Sequence, residues 1–101
     1  MKTQIVNIKR VSFNTNDPND VYIGRGRNNG LFGNPFTVKI HGRDKCIELY
    51  REYFYNRIET DYQFRKAVLS LKGKRLGCYC KPKPCHGDII LEYLENESNT
   101  D

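Results

Sequence analysis

Three cysteines and a histidine lie close together near the carboxyl end of the chain, in a segment that we call the cysteine–histidine loop. Its sequence is Gly77-Cys78-Tyr79-Cys80-Lys81-Pro82-Lys83-Pro84-Cys85-His86-Gly87-Asp88. Soft ligands, a stiff backbone and lysines within one loop favour a metal site, a reactive thiol or a rigid ligand-binding corner. The sequence leaves these three alternatives open.

Zinc is the first alternative, because the loop contains a Cys₃His ligand set. That set is Cys78, Cys80, Cys85 and His86. Such ligands suit tetrahedral zinc, and in an extended chain Cys78 and Cys80 would point to the same face. Structural zinc sites, however, usually use two well-separated ligand pairs. Ligand identity therefore supports zinc, whereas ligand spacing does not.

Nucleophilic catalysis is the second alternative, with Cys85 as nucleophile and His86 as base. These two residues directly precede a predicted helix that begins at Gly87 or Asp88. A helix N-terminus stabilises negative charge, as neighbouring lysines would, so we expect the pKa of the Cys85 thiol to be lowered. A thiolate beside an imidazole is typical of an activated nucleophile. Asp88 would orient the histidine or cap the helix, and we favour the cap.

A purely structural interpretation stands beside both. Unpaired cysteines are commonly buried, so the three thiols could pack around Tyr79 as a small core. Cys46, which lies alone in a helical pattern, is expected to be a buried apolar thiol.

A second segment, Gly24-Arg25-Gly26-Arg27, has the chemistry of an anion-binding loop and is called the glycine–arginine loop below. It follows the short apolar strand pattern Val21-Tyr22-Ile23. Glycines let backbone N–H groups approach a phosphate, and guanidinium groups bind its oxygens in pairs. Neither Walker nor dinucleotide-binding spacing is present, so a solvated turn with two exposed arginines is an equal alternative.

Downstream, Gly33-Asn34-Pro35-Phe36 is interpreted as mainly architectural. Pro35 restricts Asn34 to an extended conformation, and Phe36 would anchor the segment to the core. The candidate ligand-contacting residues are Tyr22, Gly24, Arg25, Gly26, Arg27, Asn34, Cys80, Lys81 and Asp88.

The elements that must position these loops follow the order strand, strand, helix, helix, strand, helix. Strands are predicted over residues 4–13, 21–23 and 75–80, and helices begin near Asp44, Thr60 and Gly87. This order predicts an α/β fold, a small single-domain sandwich with a short, mostly parallel sheet of about three to four strands and about three helices. If the strand near residue 76 pairs in parallel with residues 21–23, both loops leave the carboxyl ends of neighbouring strands. Ligands bind at that edge in open α/β sheets.

The whole chain has 101 residues, enough for one domain with one modest core. We predict a globular domain over residues 1–95 and a frayed acidic tail over 96–101. No secretory signal or membrane-spanning run is evident, so we expect a cytoplasmic protein with reduced thiols. Seventeen Lys and Arg against twelve Asp and Glu give a net charge of +5, which favours an anionic partner.

These motifs, in this order, resemble the domain of unknown function 4326 family. The resemblance is carried by Val21-Tyr22-Ile23-Gly24-Arg25, Gly33-Asn34-Pro35-Phe36, Cys78-Tyr79-Cys80-Lys81-Pro82 and Cys85-His86-Gly87-Asp88, and extends over about residues 4–95. It implies a small single-domain protein of a bacterium or phage, cytoplasmic in the host if a phage encodes it. It also implies that the two loops form the functional surface, but it implies no established reaction.

The sequence is compatible with three functions. The first, which we favour, is binding of a phosphate-bearing small molecule between the two loops, with a nucleotide as the favoured ligand. The second is an enzyme that acts on such a nucleotide or nucleoside-type ligand through Cys85 and His86. The third is a zinc-stabilised protein that binds a host protein or nucleic acid. The cofactor is unknown, with zinc as the candidate, and no membrane partner is expected.

Overall fold

Strands and helices follow one another in an α/β order. The computed structural model describes residues 2–24, 32–36, 38–79 and 83–99. The elements are β1 (Gln4–Asn7), β2 (Asp20–Tyr22), α1 (Val38–His41), α2 (Arg43–Thr60), α3 (Tyr62–Leu69), β3 (Arg75–Cys78) and α4 (Gly87–Asn99). The predicted order is confirmed, with the short helix α1 added before the first predicted helix.

The three strands form one parallel sheet in the order β1-β3-β2. Leu76 of the central strand pairs with Ile5 on one side and with Val21 on the other. The predicted parallel pairing of β2 with β3 is therefore confirmed, and α1, α2 and α3 form the crossover between them. Because the strands run in the same direction, their carboxyl ends meet at one edge of the sheet.

Side chains of β3 alternate between two covered faces of the sheet. Leu76 and Cys78 are buried in the core that the helices share, whereas Gly77 points to the opposite face. A Cβ atom at Gly77 would lie 2.5 Å from both Ile8 Cγ2 and Phe13 Cζ. The segment that follows β1 therefore covers the face that the helices leave open.

Helix α2 carries the apolar stripe that its sequence spacing predicts. Tyr50, Phe54 and Ile58 are buried, while Ile47 is only partly buried and Cys46 is buried one position earlier. The expectation that Cys46 is a buried thiol is met.

Two helix starts differ from the sequence predictions. Helix α2 begins at Arg43, so that Asp44, near which the start is predicted and which would cap the helix, lies inside its first turn; Gly42 adopts a φ of 81° and turns the chain out of α1. Helix α3 is capped by Asp61, whose Oδ1 accepts the N–H of Phe64 at 3.1 Å. Thr60 instead donates its hydroxyl to the carbonyl of Asn56 and completes α2.

Two element ends also differ. Strand β1 ends at Asn7 rather than near residue 13, because Asn7 accepts the N–H groups of Lys9 and Arg10 and so forms a turn. Residues 96–99, predicted to be a frayed tail, continue α4 as far as Asn99. Leu94 belongs to the buried stripe of α4, and Leu94 and Glu95 are both good helix formers. The helix therefore continues beyond residue 95.

The radius of gyration is 13.0 Å, which is typical of a single compact domain of about 100 residues. No helix within the described ranges is long and apolar enough to cross a membrane.

Candidate ligand-binding site

A cavity of about 270 Å³ opens at the carboxyl ends of β2 and β3. Its wall contains residues from both strand ends, from the segment after the glycine–arginine loop, from the first turns of α2 and from the cysteine–histidine loop. These residues are Tyr22, Gly24, Asn34, Phe36, Arg43, Cys46, Ile47, Cys78, Tyr79, Pro84, Cys85 and His86. The segments that follow β2 and β3 therefore border one cavity.

Two tyrosines from neighbouring strand ends form an aromatic side of the cavity. The rings of Tyr22 and Tyr79 pack edge to face with centroids 6.0 Å apart. Gly24 makes room for this arrangement, since a Cβ atom there would lie 2.3 Å from the Tyr22 hydroxyl oxygen. Tyr79 is 54% exposed, so its ring remains accessible from solvent.

The imidazole of His86 is fixed at both ring nitrogens. Its Nε2 lies 2.8 Å from the carbonyl oxygen of Ile23, just beyond β2. Because a carbonyl oxygen only accepts, Nε2 carries the proton in this contact. In the neutral ring, Nδ1 then has the lone pair, and it lies 3.8 Å from Cys85 Sγ.

The sulfur of Cys85 is buried and lies at the N-terminus of α4. The backbone N–H of Gly87, the first residue of α4, donates to this sulfur at 3.4 Å. The thiol can pass its proton to His86 Nδ1, and the resulting thiolate would be stabilised by the imidazolium and by the helix N-terminus. This arrangement has the chemistry of an activated nucleophile.

Asp88 acts within the same turn as a backbone partner. Its Oδ2 accepts the N–H of Cys85 at 3.1 Å. Asp88 is therefore not the helix-capping residue that we favoured, because it lies inside α4 and bonds back to the preceding turn, and it is not part of the cavity wall.

Tyr50 of α2 contacts the segment at Phe32 and the ring of His86, which belong to different parts of the cavity surroundings. Its hydroxyl donates to the carbonyl of Phe32 at 2.9 Å, and its ring packs edge to face on His86 at 5.1 Å. Burial raises the pKa of Tyr50 well above its usual value, so the phenol stays protonated and keeps donating. Tyr50 thereby fixes both the segment at Phe32 and the His86 ring.

Asn34 has an architectural role while it lines the cavity. Its Oδ1 accepts the N–H of Phe36 at 2.8 Å, and its Nδ2 donates to the carbonyl of Cys46 at 3.1 Å. The first bond forms a local turn, and the second ties that turn to α2.

The structure brings together six of the predicted site residues. Tyr22, Gly24, Asn34, Cys78, Cys85 and His86 all border the cavity. The predictions for Arg25, Gly26, Arg27, Cys80 and Lys81 fall outside the described residues.

The zinc hypothesis involves one residue outside the described ranges. Cys85 and His86 are in contact, and Cys78 lines the same cavity. Among the described residues, no group of three or more histidine, cysteine or acidic side chains could hold a metal ion. Because Cys80 completes the set and lies outside these ranges, zinc binding by this loop stays a prediction.

Sequence reasoning missed the contribution of α2 to the cavity. Arg43, Cys46 and Ile47 line it from the first turns of that helix. Arg43 and Cys46 precede the buried Tyr50 by seven and four positions, and so lie on the same helical face. Extending the apolar stripe towards the N-terminus would have indicated Cys46, whereas the charged Arg43 carries no such signal.

Comparisons with known proteins agree with the resemblance of the motifs. A family model described as Domain of unknown function (DUF4326) matches residues 6–96, and the chain belongs to this family. The chain is also similar to an uncharacterized 12.4 kDa protein in the nrdA-td intergenic region of Enterobacteria phage T4. The two are 44% identical over 75 residues, which cover 74% of this chain and 67% of the phage protein. No solved structure gives a significant match.

Proposed function

We propose that this protein binds a small phosphate-bearing molecule, specifically a nucleotide, at the carboxyl edge of its sheet. The observation that carries the proposal is that the segments following β2 and β3 border a single cavity. In open α/β sheets, ligands bind outside the carboxyl ends of the strands.

The composition of the cavity wall favours a planar ligand. Tyr22, Phe36 and Tyr79 offer aromatic surface, and Arg43 offers hydrogen bonds. A mostly apolar wall with a few polar groups is typical of small-molecule sites. The volume of about 270 Å³ is just below the usual range of roughly 300–1,000 Å³ and suits a single small ligand.

The phosphate group is assigned to the glycine–arginine loop, which continues directly from Gly24 in the cavity wall. Arg25 and Arg27 would hold its oxygens, and the net charge of +5 would attract the anion. We place this binding in the cytosol, which is the host cytosol if a phage encodes the protein.

Calorimetric titration with a panel of nucleoside monophosphates, at low and at high salt, tests the proposal. We expect saturable binding that weakens with salt and is lost in Arg25→Ala. Arg65→Ala is the matched control, because Arg65 is an exposed arginine of α3 outside the cavity wall. Absence of binding by every nucleotide would contradict the proposal. Binding of nucleic acid or a host protein in its place would favour an interaction protein.

A second function, an enzyme that acts on a nucleotide or nucleoside-type ligand, is favoured by the contact between Cys85 and His86. The thiol proton would pass to His86 Nδ1, 3.8 Å away, while the sulfur attacks an electrophilic carbon of the ligand. The imidazolium would then give this proton to the leaving group, and water would release the adduct from the sulfur.

The two functions are separated by Cys85→Ser. If the protein is an enzyme, this variant loses turnover and keeps ligand binding, whereas unchanged turnover would exclude Cys85 as the nucleophile. Metal content and thiol accessibility should be measured on the same reduced sample. One equivalent of zinc with Cys78, Cys80 and Cys85 protected would assign the loop to a metal instead.

A further inference from the structure

Arg43, the first residue of α2, lines the cavity, and its guanidinium group bonds to the carbonyl of Pro84, another residue of the cavity wall. We propose that Arg43 binds the anionic group of the ligand. This inference rests on the proposed nucleotide-binding function and deepens it, because it adds an anion-binding residue outside both sequence motifs.

The charge of Arg43 has no carboxylate partner within the part of the chain that the structure describes. None of the ion pairs among the described residues includes it. Its one hydrogen bond there goes from Nη1 to the carbonyl oxygen of Pro84, at 3.2 Å. A guanidinium group has five N–H donors in a planar fork, so donors remain for the paired oxygens of a phosphate.

The bond to Pro84 also holds the arginine where a ligand would need it. Pro84 directly precedes Cys85, so this bond ties the start of α2 to the cysteine–histidine loop. A long side chain that is already restrained loses less conformational freedom when a ligand binds. Arg43 would thus hold the anionic group from the α2 side of the cavity, together with the glycine–arginine loop.

Arg43 occupies a position that helix stability alone does not favour. The N-terminus of a helix carries partial positive charge, which disfavours a cation in the first turn. The residue before it, Gly42, has no side-chain oxygen to cap the exposed N–H groups of this 18-residue helix. Asp44 in the same turn offsets part of this charge. A bound anion would interact favourably with both the guanidinium group and the helix N-terminus.

Two variants and three kinds of probe test the assignment. Wild type, Arg43→Gln and the exposed control Arg65→Gln are titrated with nucleoside monophosphates, with the matching nucleosides and with inorganic phosphate. Both substitutions remove one positive charge, so a general electrostatic effect would appear equally in the two. Circular dichroism confirms that each variant is folded.

We expect Arg43→Gln to lower the affinity for monophosphates by at least about tenfold, the loss of one charge-assisted contact, and to leave nucleoside affinity unchanged. Equal affinity of Arg43→Gln and wild type for monophosphates would overturn the assignment while leaving nucleotide binding intact. If wild type binds phosphate through Arg43 but does not prefer nucleotides, the nucleotide proposal fails and the anion site stands. If wild type binds none of the three probes, both proposals fail.

Discussion

The Nε2 atom of His86 donates a hydrogen bond to the carbonyl oxygen of Ile23, at 2.8 Å. This bond connects the end of β2 with the residue before α4, although the two are far apart in sequence. It fixes which ring nitrogen carries the proton, and it leaves Nδ1 directed at Cys85. The carbonyl of Ile23 therefore selects the tautomer whose unprotonated nitrogen faces Cys85.

Replacing His86 is predicted to slow the alkylation of Cys85. His86→Phe keeps a ring against Tyr50 but removes the acceptor for the thiol proton. We expect the rate of Cys85 alkylation by iodoacetamide at neutral pH to fall by roughly tenfold or more. Peptide mapping by mass spectrometry separates Cys85 from the other thiols.

The control for this experiment is His41→Phe, since His41 is exposed on α1. That variant should react at the wild-type rate. An unchanged rate in His86→Phe would show that the contact with Nδ1 does not activate the sulfur.

Acid is predicted to weaken the pairing of β2 with β3. The guanidinium group of Arg75 donates to both oxygens of Asp20 at 2.8 Å, and the N–H of Asn14 donates to one of them at 3.0 Å. These hydrogen bonds lower the pKa of Asp20 to about 2. Because the carboxyl titrates near 3.8 in the unfolded chain, its contribution is complete above about pH 4 and is lost as the pH falls towards 2.

Urea denaturation of wild type and Asp20→Asn, between pH 7 and pH 2.5, measures this contribution. The variant should be less stable at pH 7, and the difference should shrink as the pH approaches 2. Glu95→Gln, at an exposed position of α4, should follow the wild-type curve. A constant difference between Asp20→Asn and wild type at every pH would contradict the assignment.

Parallel pairing of β2 with β3 could be predicted from the sequence, because the strand patterns and the crossover that joins them are both visible there. Two short apolar runs, around Val21 and Leu76, are separated by enough helical sequence for a crossover. Once this pairing is known, the meeting of both loops at one edge follows from strand direction alone.

The contribution of Arg43 to the cavity could not be predicted in the same way. It depends on where α2 begins, and Gly42 sets that position by adopting a positive φ that other residues rarely take. The bond from His86 to Ile23 likewise joins residues that are far apart in the sequence, so no local sequence pattern indicates it. Local patterns therefore indicate the elements, whereas the side chains that share a site depend on long-range packing.

Gly77 is predicted to tolerate no side chain. It lies in the central strand, and an added Cβ would come within 2.5 Å of both Ile8 and Phe13. Gly77→Val should therefore lower the free energy of unfolding by about 1–3 kcal/mol, the usual cost of overpacking.

Gly42→Ala is the informative comparison, because its Cβ would contact nothing within 4 Å while its φ of 81° is unfavourable for alanine. Backbone strain of about 1–3 kcal/mol is expected there, without a steric clash, because its φ of 81° and ψ of 158° lie in a region that is essentially restricted to glycine. Chemical denaturation of both variants measures the difference. A wild-type stability for Gly77→Val would mean that the segment after β1 does not cover the sheet.

Tyr50→Phe is predicted to affect stability and ligand binding together. The substitution keeps the ring that packs on His86 and removes the hydroxyl that donates to the carbonyl of Phe32 at 2.9 Å. Losing this buried hydrogen bond should lower the free energy of unfolding by about 1–2 kcal/mol. Because Phe32 precedes Asn34 and Phe36 in the cavity wall, nucleotide affinity should also fall.

Urea denaturation and calorimetric titration measure the two effects of Tyr50→Phe, with the exposed Tyr62→Phe as the control. A loss of stability with unchanged affinity would show that the segment at Phe32 does not position the ligand.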